Sequence, residues 1–570
     1  MKRRNFLKGL ATTSLLPFLT PTINAEESLQ SYNSKKVLSG NEFFLDIDYL
    51  PVNITGESAV ATAINSQLSG PVLVWQEGET VTIHVTNHMK KTTSIHWHGI
   101  VLPNAMDGVP GLTYNGIAPG ETFIYQFKVQ QYGTFWYHSH SGFQEQSGLY
   151  GAIVIKPKDK EPFEYDREYV LQLSDWSDEK PETIYKKLKQ KSDYYNFSER
   201  TVGNFIDEVK QNGLSTAISD RKMWNEMRMS DRDISDVTGY TYTYLMSGIP
   251  PSKQFKALFK KGEKIRLRFI NSSAMTFFDI RIPGLKMKVV AADGNYVQPV
   301  DVDEFRMGVA ETYDVIVEPE DDVTYAIFAQ SIDRSGYALG ALTQDISKDA
   351  KAPQMDPKPI LTHVDMGMAM DMDMSKGHKM KCGAGMMMPK KPTKIDHKYP
   401  ITELPRKEGV GVDMVSRSPQ YRLDDPGVGL RDNGRKVLTY ADLKNLYSTE
   451  HYRKPDREII FHLTGNMERY IWSINGITYA NAKPIIFHYG ECVRITFIND
   501  TMMNHPMHLH GMWSDLETGD ENHLVRKHTV IVQPGAKISY WVNVDAMGRW
   551  AYHCHMLYHM VGMFREVKVI

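Results

Sequence analysis

Four short stretches gather side chains that bind metals. They are "HWHG" with His96 and His98, "YHSH" with His138 and His140, "HPMHLHG" with His505, His508 and His510, and "YHCHMLYH" with His553, Cys554, His555 and His559. Together they hold ten of the chain's 20 histidines. On a β-strand, residues two apart project to the same face, so each His-x-His pair can present two imidazoles to one site. The residue between them faces the other way. In "HCH" this puts the Cys554 sulfur on one side and His553 and His555 on the other, so one strand can join two metal sites through a few covalent bonds. Imidazole suits copper, iron and zinc, and a thiolate with two histidines and a weak methionine suits an electron-transfer copper. Cys554, His505 and His559 supply that set. Eight histidines then remain in four His-x-His pairs, enough for three further coppers with two ligands on one and three on each of the others. Structural zinc fits poorly, because it takes four ligands, often several of them cysteines.

These residues need rigid strands, and an internal repeat supplies them. "WQEGETVTIHVTN", "FKKGEKIRLRFIN" and "FHYGECVRITFIN" each run from Gly-Glu through an alternating strand to an Asn: Gly78 to Asn87, Gly262 to Asn271, Gly490 to Asn499, an offset of nine every time. Nine residues beyond each Asn stand His96, Ile280 and His508, and eleven beyond stand His98, Ile282 and His510. The middle copy therefore tolerates isoleucine where the outer two carry histidine, which argues against a merely structural role for the outer histidines. A second echo, "YGTFWYHSH" and "MGRWAYHCH", places a histidine five residues after Gly133 and Gly548. Numerous short strands rich in Val, Ile, Thr and Tyr, with Gly and Pro turns, predict an all-β chain of sandwiches. The modules are expected at 40–158, 159–350 and 455–570. Two stretches fall outside the pattern. Residues 178–235 are polar and read as helices inserted in the second module. Residues 351–454 form a Pro-, Lys- and Met-rich connection, too long for a compact loop and expected to be flexible.

Composition narrows the class. The chain has 570 residues, 41% hydrophobic and 24% charged, with a formal charge of -2, so no basic field points to nucleic acid. Three cysteines, Cys382, Cys492 and Cys554, allow at most one disulfide and exclude a disulfide scaffold. Cys492 reads as a buried free thiol. The N-terminus, "MKRRNFLKGLATTSLLPFLTPTINAEE", pairs Arg3-Arg4 with a short apolar run broken by Pro17. This is the pattern of a twin-arginine export signal over residues 1–25, cleaved near Ala25, and it implies a periplasmic protein. No later segment offers about 18 uninterrupted apolar residues, so an integral membrane protein is not expected.

"HWHG", "HSH", "HPxHLHG" and "HCHxxxH" together resemble the multicopper oxidases over nearly all of the chain beyond the signal. "DVTGYTYTYLMSG" (Asp236 to Gly248) and the methionine-rich connection resemble the periplasmic copper-resistance branch, often called CopA. The resemblance implies three cupredoxin-like Greek-key domains and four coppers. A type 1 copper would take His505, Cys554 and His559; a type 2 copper His96 and His508; a type 3 pair His98, His138, His140, His510, His553 and His555. It implies one-electron oxidation of a donor at the type 1 site and reduction of dioxygen to water at the other three coppers. Asp107, in "MDGVPG", stands where relatives carry an acidic residue near the type 2 copper, and is assigned to proton relay. Many relatives have a glutamate directly after the last type 1 histidine; here that position is Met560, so a second carboxylate must come from elsewhere. Relatives usually place the axial type 1 residue five positions after that histidine. Here Met563 is four after His559 and Phe564 is five after it, so either Met563 binds weakly or Phe564 leaves a three-coordinate copper. Met563 is the favoured ligand.

Methionine is abundant, at 30 residues, and nine of these fall within 366–388: Met366, Met368, Met370, Met372, Met374, Met380, Met386, Met387 and Met388, with His378 and Cys382 among them. Thioether sulfur binds Cu(I), and this segment reads as a copper-collecting arm with additional labile Cu(I). Met223, Met227 and Met229 are expected to pack a helix face. The expected function is a periplasmic oxidase of Cu(I), with some activity on phenols, serving copper tolerance. The alternative is a copper-sequestering binding protein with incidental laccase-like activity. The complete histidine set disfavours both a module that has lost its metal and a two-domain copper nitrite reductase.

Overall fold

The computed structural model describes residues 36–368, apart from 197 and 199, and 399–570. Six β-sheets form three sandwiches. In the first, the sheet of Ala59–Ile64, Glu42–Val52, Thr80–Asn87 and Thr122–Lys128 faces the sheet of Val37–Ser39, Val72–Gln76, Tyr150–Lys156, Gly133–His138 and His96–His98. The second sandwich packs a six-stranded on a five-stranded sheet, and the third an eight-stranded on a five-stranded sheet. Strand Thr80–Asn87 shows the driving pattern: Val81, Ile83 and Val85 are buried while the residues between them face outward. Its counterparts Ile265–Asn271 and Cys492–Asn499 are buried almost throughout.

The repeat has a physical cause. Gly78, Gly262 and Gly490 all sit at positive φ, 89°, 79° and 85°, which a glycine adopts without strain and which turns the chain into each strand. The repeated asparagines end those strands and tie each strand end to neighbouring segments of its module. Asn87 Nδ2 donates to the carbonyls of Lys91 and Ile117, Asn271 Nδ2 to those of Thr276 and Met307, and Asn499 Nδ2 to those of Met503 and Val532. In the middle module Ile280 and Ile282 then enter the hydrophobic core.

Helices Pro181–Gln190, Val202–Asn212 and Leu214–Glu226 lie between strands Arg167–Trp176 and Thr243–Met246. Met227 and Met229 pack against the core, whereas Met223 is exposed. Among the described residues no helix is long and apolar enough to cross a membrane.

The expected flexible connection is ordered over both of its described flanks. Asp356 pairs with Arg281 of the second module and with Arg435. Ile401–Thr402 pairs with strand Arg457–Asn466, and Gln420–Tyr421 with Ala536–Asn543. Buried ion pairs and strand addition thus absorb a segment whose composition suggested a tether. The same packing corrects the start of the methionine arm. Met366 is fully buried in the core, so its thioether is not free to reach solvent, while Met368 is partly buried and packs against that core. Met370, Met372, Met374, His378, Met380, Cys382, Met386, Met387 and Met388, and the export signal at 1–25, lie outside the described residues.

Candidate metal centre

The four His-x-His pairs converge where the first and third modules meet. His96 is directly opposite His138 across one antiparallel pair of strands, and His508 opposite His553 across another. The two modules then meet ring on ring: His98 stacks on His508 at 3.8 Å, and His96 on His510 at 3.9 Å. This reciprocal contact is the mark of a two-fold relation between repeated units. The relation exchanges His96 with His508, His98 with His510, His138 with His553 and His140 with His555. It accounts for how the eight histidines divide. His98, His138 and His555 bring one ligand atom each within 4.8 Å of one another, and so do His140, His510 and His553. The pseudo-two-fold converts one triplet into the other and leaves the pair His96 and His508 as its own image.

The donor chemistry fits metal ions. His96 Nε2, His98 Nδ1, His138 Nε2, His508 Nε2 and both nitrogens of His555 are buried with no hydrogen-bond partner. Each such orphan costs about 1–3 kcal/mol, and six in one place need a cation to satisfy them. In the second triplet, His553 Nε2 lies 3.4 Å from His140 Nε2 and 3.1 Å from His510 Nε2. Three lone pairs aimed at one point are a ligand set. Burial, with neighbouring imidazoles, holds the pKa of His98, His138, His140, His508, His510 and His555 well below the ordinary value, and that of His553 at about 4. The imidazoles are therefore neutral, the form that binds a metal.

Surrounding groups fix which nitrogen faces inward. His96 Nδ1 donates to the Asp107 carbonyl at 2.7 Å, and the Asp107 carboxylate lies 2.9 Å from His510 Nδ1. Asp107 is buried, with Gly108 behind it; a Cβ there would lie 1.8 Å from the Ile95 carbonyl oxygen. Glu145 supplies a second carboxylate, unread in the sequence: Oε2 is 2.8 Å from His138 Nδ1, and burial with nearby Asp175 pushes its pKa up. It lies five residues after His140, on the loop beyond the strand.

The thiolate set lies on the opposite face of the same strand. Cys554 Sγ is 3.5 Å from His505 Nδ1 and 3.9 Å from His559 Nδ1, and the two nitrogens are 3.4 Å apart. All three residues are fully buried. Burial pushes the Cys554 thiol far up, so a bound cation would be needed to ionise it. Thr501 Oγ1 holds His505 Nε2 at 2.8 Å. Asp236 holds His559 Nε2 at 2.5 Å and also accepts from Tyr470 Oη at 2.9 Å. Trp472 stacks on His559 at 3.8 Å. Helix Pro181–Gln190 covers this side: Lys189 Nζ donates to the carbonyls of Arg469 and Tyr470, and Tyr185 stacks on Tyr558. The middle module completes the fit, its Ala274 carbonyl accepting from the Leu557 amide two residues before His559. Met563 is fully buried in the same core as Cys554, and its carbonyl accepts from the Cys554 amide. Phe564 turns the other way and stacks on His553, rings 9° from parallel. Cys492 is a buried free thiol among Leu524 and Trp541, its pKa pushed up to about 12 by burial, and takes no part in either site.

Models of the multicopper oxidase family match residues 46–160, 167–346 and 452–570. The chain is 54% identical to Copper resistance protein A of Escherichia coli, covering 100% of this chain and 99% of the relative. It is 52% identical to a Copper resistance protein A homolog of Pseudomonas syringae pv. tomato, with the same coverage. The crystal structure of Fet3p, a multicopper oxidase that functions in iron import, superposes with a TM-score of 0.64 at 20% identity, over 93% of this chain and 90% of that one. A laccase from Botrytis aclada superposes with a TM-score of 0.61 at 20% identity, over 94% and 89%. The full-length identity, the three family matches and the convergent histidines lead to one conclusion: this chain belongs to the multicopper oxidase family.

Proposed function

We propose that the protein oxidises Cu(I) outside the cytoplasm, in the service of copper tolerance, and passes the electrons to dioxygen through four resident coppers. His505, Cys554 and His559 would hold the type 1 copper, with the buried Met563 as a further weak ligand. His96 and His508 hold the type 2 copper. His98, His138 and His555 hold one type 3 copper, and His140, His510 and His553 the other. Bound copper supplies one-electron transfer at the thiolate site and four-electron reduction of dioxygen at the three-copper site. The balance is four Cu(I), one dioxygen and four protons giving four Cu(II) and two waters.

The protein's own residues set the route. Cys554 is bonded in sequence to His553 and His555, so the thiolate site and the oxygen site are joined through one strand. Asp107 and Glu145 are carboxylates that touch histidines of the three-copper site, and they are the groups placed to pass protons inward. The observation that carries the choice of substrate is the burial of His505, Cys554 and His559 behind Asp236, Tyr470, Trp472 and the inserted helix. Neither His505 nor His559 has an edge open to an aromatic ring, which favours a small inorganic donor over a phenol. The methionines of 370–388 supply soft ligands for that donor, and Arg3-Arg4 supply the twin-arginine export signal. The names of the copper-resistance relatives agree with this role.

The test is oxygen uptake by the copper-loaded protein. Cu(I) should drive it with one dioxygen consumed per four Cu(I), and Cys554→Ser should abolish it. Copper-loaded protein that binds Cu(I) without consuming oxygen would establish the sequestering alternative instead.

A further inference from the structure

The pseudo-two-fold of the cluster extends to its supports, and it singles out a histidine that the ligand set does not use. On one side Asp107 takes His96 Nδ1 on its backbone carbonyl and His510 Nδ1 on its side chain. The symmetry-related side must hold His508 and His98 in the same way. The residue there is His528. Its carbonyl takes His508 Nδ1 at 2.6 Å, and its Nδ1 lies 3.1 Å from His98 Nε2, which Thr529 Oγ1 also approaches at 3.1 Å. His528 is 2% exposed. One residue on each side therefore braces a ligand from the first module and a ligand from the third, by main chain and by side chain. An anionic carboxylate does this on one side and an imidazole on the other.

His528 is itself anchored from the module that carries no ligands. Asp293 and Gly294 form the turn between strands Met287–Ala292 and Asn295–Val302, both at positive φ (46° and 78°), a hairpin turn that favours Asp-Gly. This turn of the middle module reaches the other two. Gly294 lies so close to the first module that a Cβ would fall 2.3 Å from the Phe135 ring. Asp293, fully buried, accepts the backbone amides of His528 and Thr529 on Oδ2 and that of Thr312 on Oδ1. Lys527 Nζ, between Asp293 and Glu311 at 3.1 and 3.0 Å, locks the arrangement.

We propose that His528, carried by Asp293 of the middle module, is a positioning residue for the three-copper site: it accepts the Nε2 proton of His98 and so turns His98 Nδ1 toward the metal, while its carbonyl turns His508 Nε2 toward the metal. The orphaned atoms agree, since the other nitrogens of these two rings, His98 Nδ1 and His508 Nε2, have no partner. With Nδ1 accepting, His528 carries its proton on Nε2. That nitrogen is also without a protein partner, and His528 lines, with His96 and His508, a cavity of about 10 Å³, room for one water. The module that carries isoleucine at positions 280 and 282 thereby keeps a structural hand in the site.

This inference rests on copper filling the eight-histidine cluster, so wild-type protein is measured first. Copper per chain, the EPR spectrum and the blue thiolate band are recorded for wild type, His528→Leu, His528→Asn and Asp293→Asn. His528→Leu should weaken copper retention against a competing chelator by about 10–100-fold, as loss of a partner behind a ligand does. Its EPR signal should change while the blue band, on the far face of the strand, stays. His528→Asn, which keeps an acceptor at the Nδ1 position, should restore retention and spectrum. Asp293→Asn should lose copper in the same way, and it carries the test if His528→Leu does not fold. Four coppers and a wild-type EPR spectrum in the folded variants would overturn the inference. A wild type without the three-copper signature would instead overturn the copper assignment on which it stands.

Discussion

Replacing Asp236 by Asn should raise the reduction potential of the type 1 copper. Asp236 Oδ2 sits 2.5 Å from His559 Nε2, fully buried, in a bond with a charged acceptor. Asn keeps an oxygen at that place and removes the charge. Hydrogen bonds to charged groups contribute about 1.5–3 kcal/mol, and neutral ones about 0.5–1.5 kcal/mol. The difference of about 1–1.5 kcal/mol favours the oxidised copper, the state with the greater positive charge. For a one-electron couple, with 59 mV per tenfold change and 1.4 kcal/mol per tenfold change, this becomes a rise of roughly 40–65 mV. The assay is a redox titration followed on the blue thiolate band. The band should keep its position, because Cys554, His505 and His559 all remain. The Tyr470 hydroxyl, also bonded to Asp236, retains an acceptor in the variant. A potential that stays put or falls would refute the reasoning, and with it the role of Asp236 as the charge behind His559.

Met563→Leu should raise the same potential and leave a blue protein, whereas Phe564→Leu should leave the type 1 site unchanged and disturb the stacked His553; the reverse result would make Phe564 the axial residue. Deleting residues 369–388 should slow Cu(I) turnover more than phenol turnover, and equal slowing would remove the arm from copper delivery. Acid should destabilise the copper-free protein. Burial holds His528 and His553 at about 4 in the fold, against about 6.5 in an unfolded chain. The unfolded chain thus binds more protons below pH 6.5, and stability that is full above that value is lost as pH falls toward 4. A copper-free melting temperature that is flat between pH 7 and pH 5 would contradict this.

Much of the ligand set was legible because strand periodicity is local. His-x-His on a strand shares a face whatever the rest of the chain does, and the repeat distinguishes His96 and His508 from Ile280. The all-β class followed from the same alternation. The supports were not legible, because they are tertiary. Glu145 stands on a loop beside its partner's strand, Asp236 is 323 residues from His559, and Asp293 reaches His528 across 235 residues. Asp236 opens the motif "DVTGYTYTYLMSG" and Asp293 an Asp-Gly turn, yet neither local pattern says which histidine the acid will reach. Composition misled at Met366, where a methionine-rich run begins inside the core, and at residues 399–454, where isolated short strands join a large sheet. Strand register could not be read from the sequence: Phe564 pairs with His553 and shares its face, which leaves Met563 on the side of Cys554.

The central claim is that two metal sites share one strand, with a thiolate copper on one face and three coppers on the other. Metal analysis of the purified, copper-loaded protein, with the visible spectrum of the same sample and of Cys554→Ser, tests it most directly. The account predicts four coppers per chain and a strong blue band, with Cys554→Ser losing that band and keeping three coppers. A wild-type protein with one or two coppers, or a blue band that survives Cys554→Ser, would contradict it.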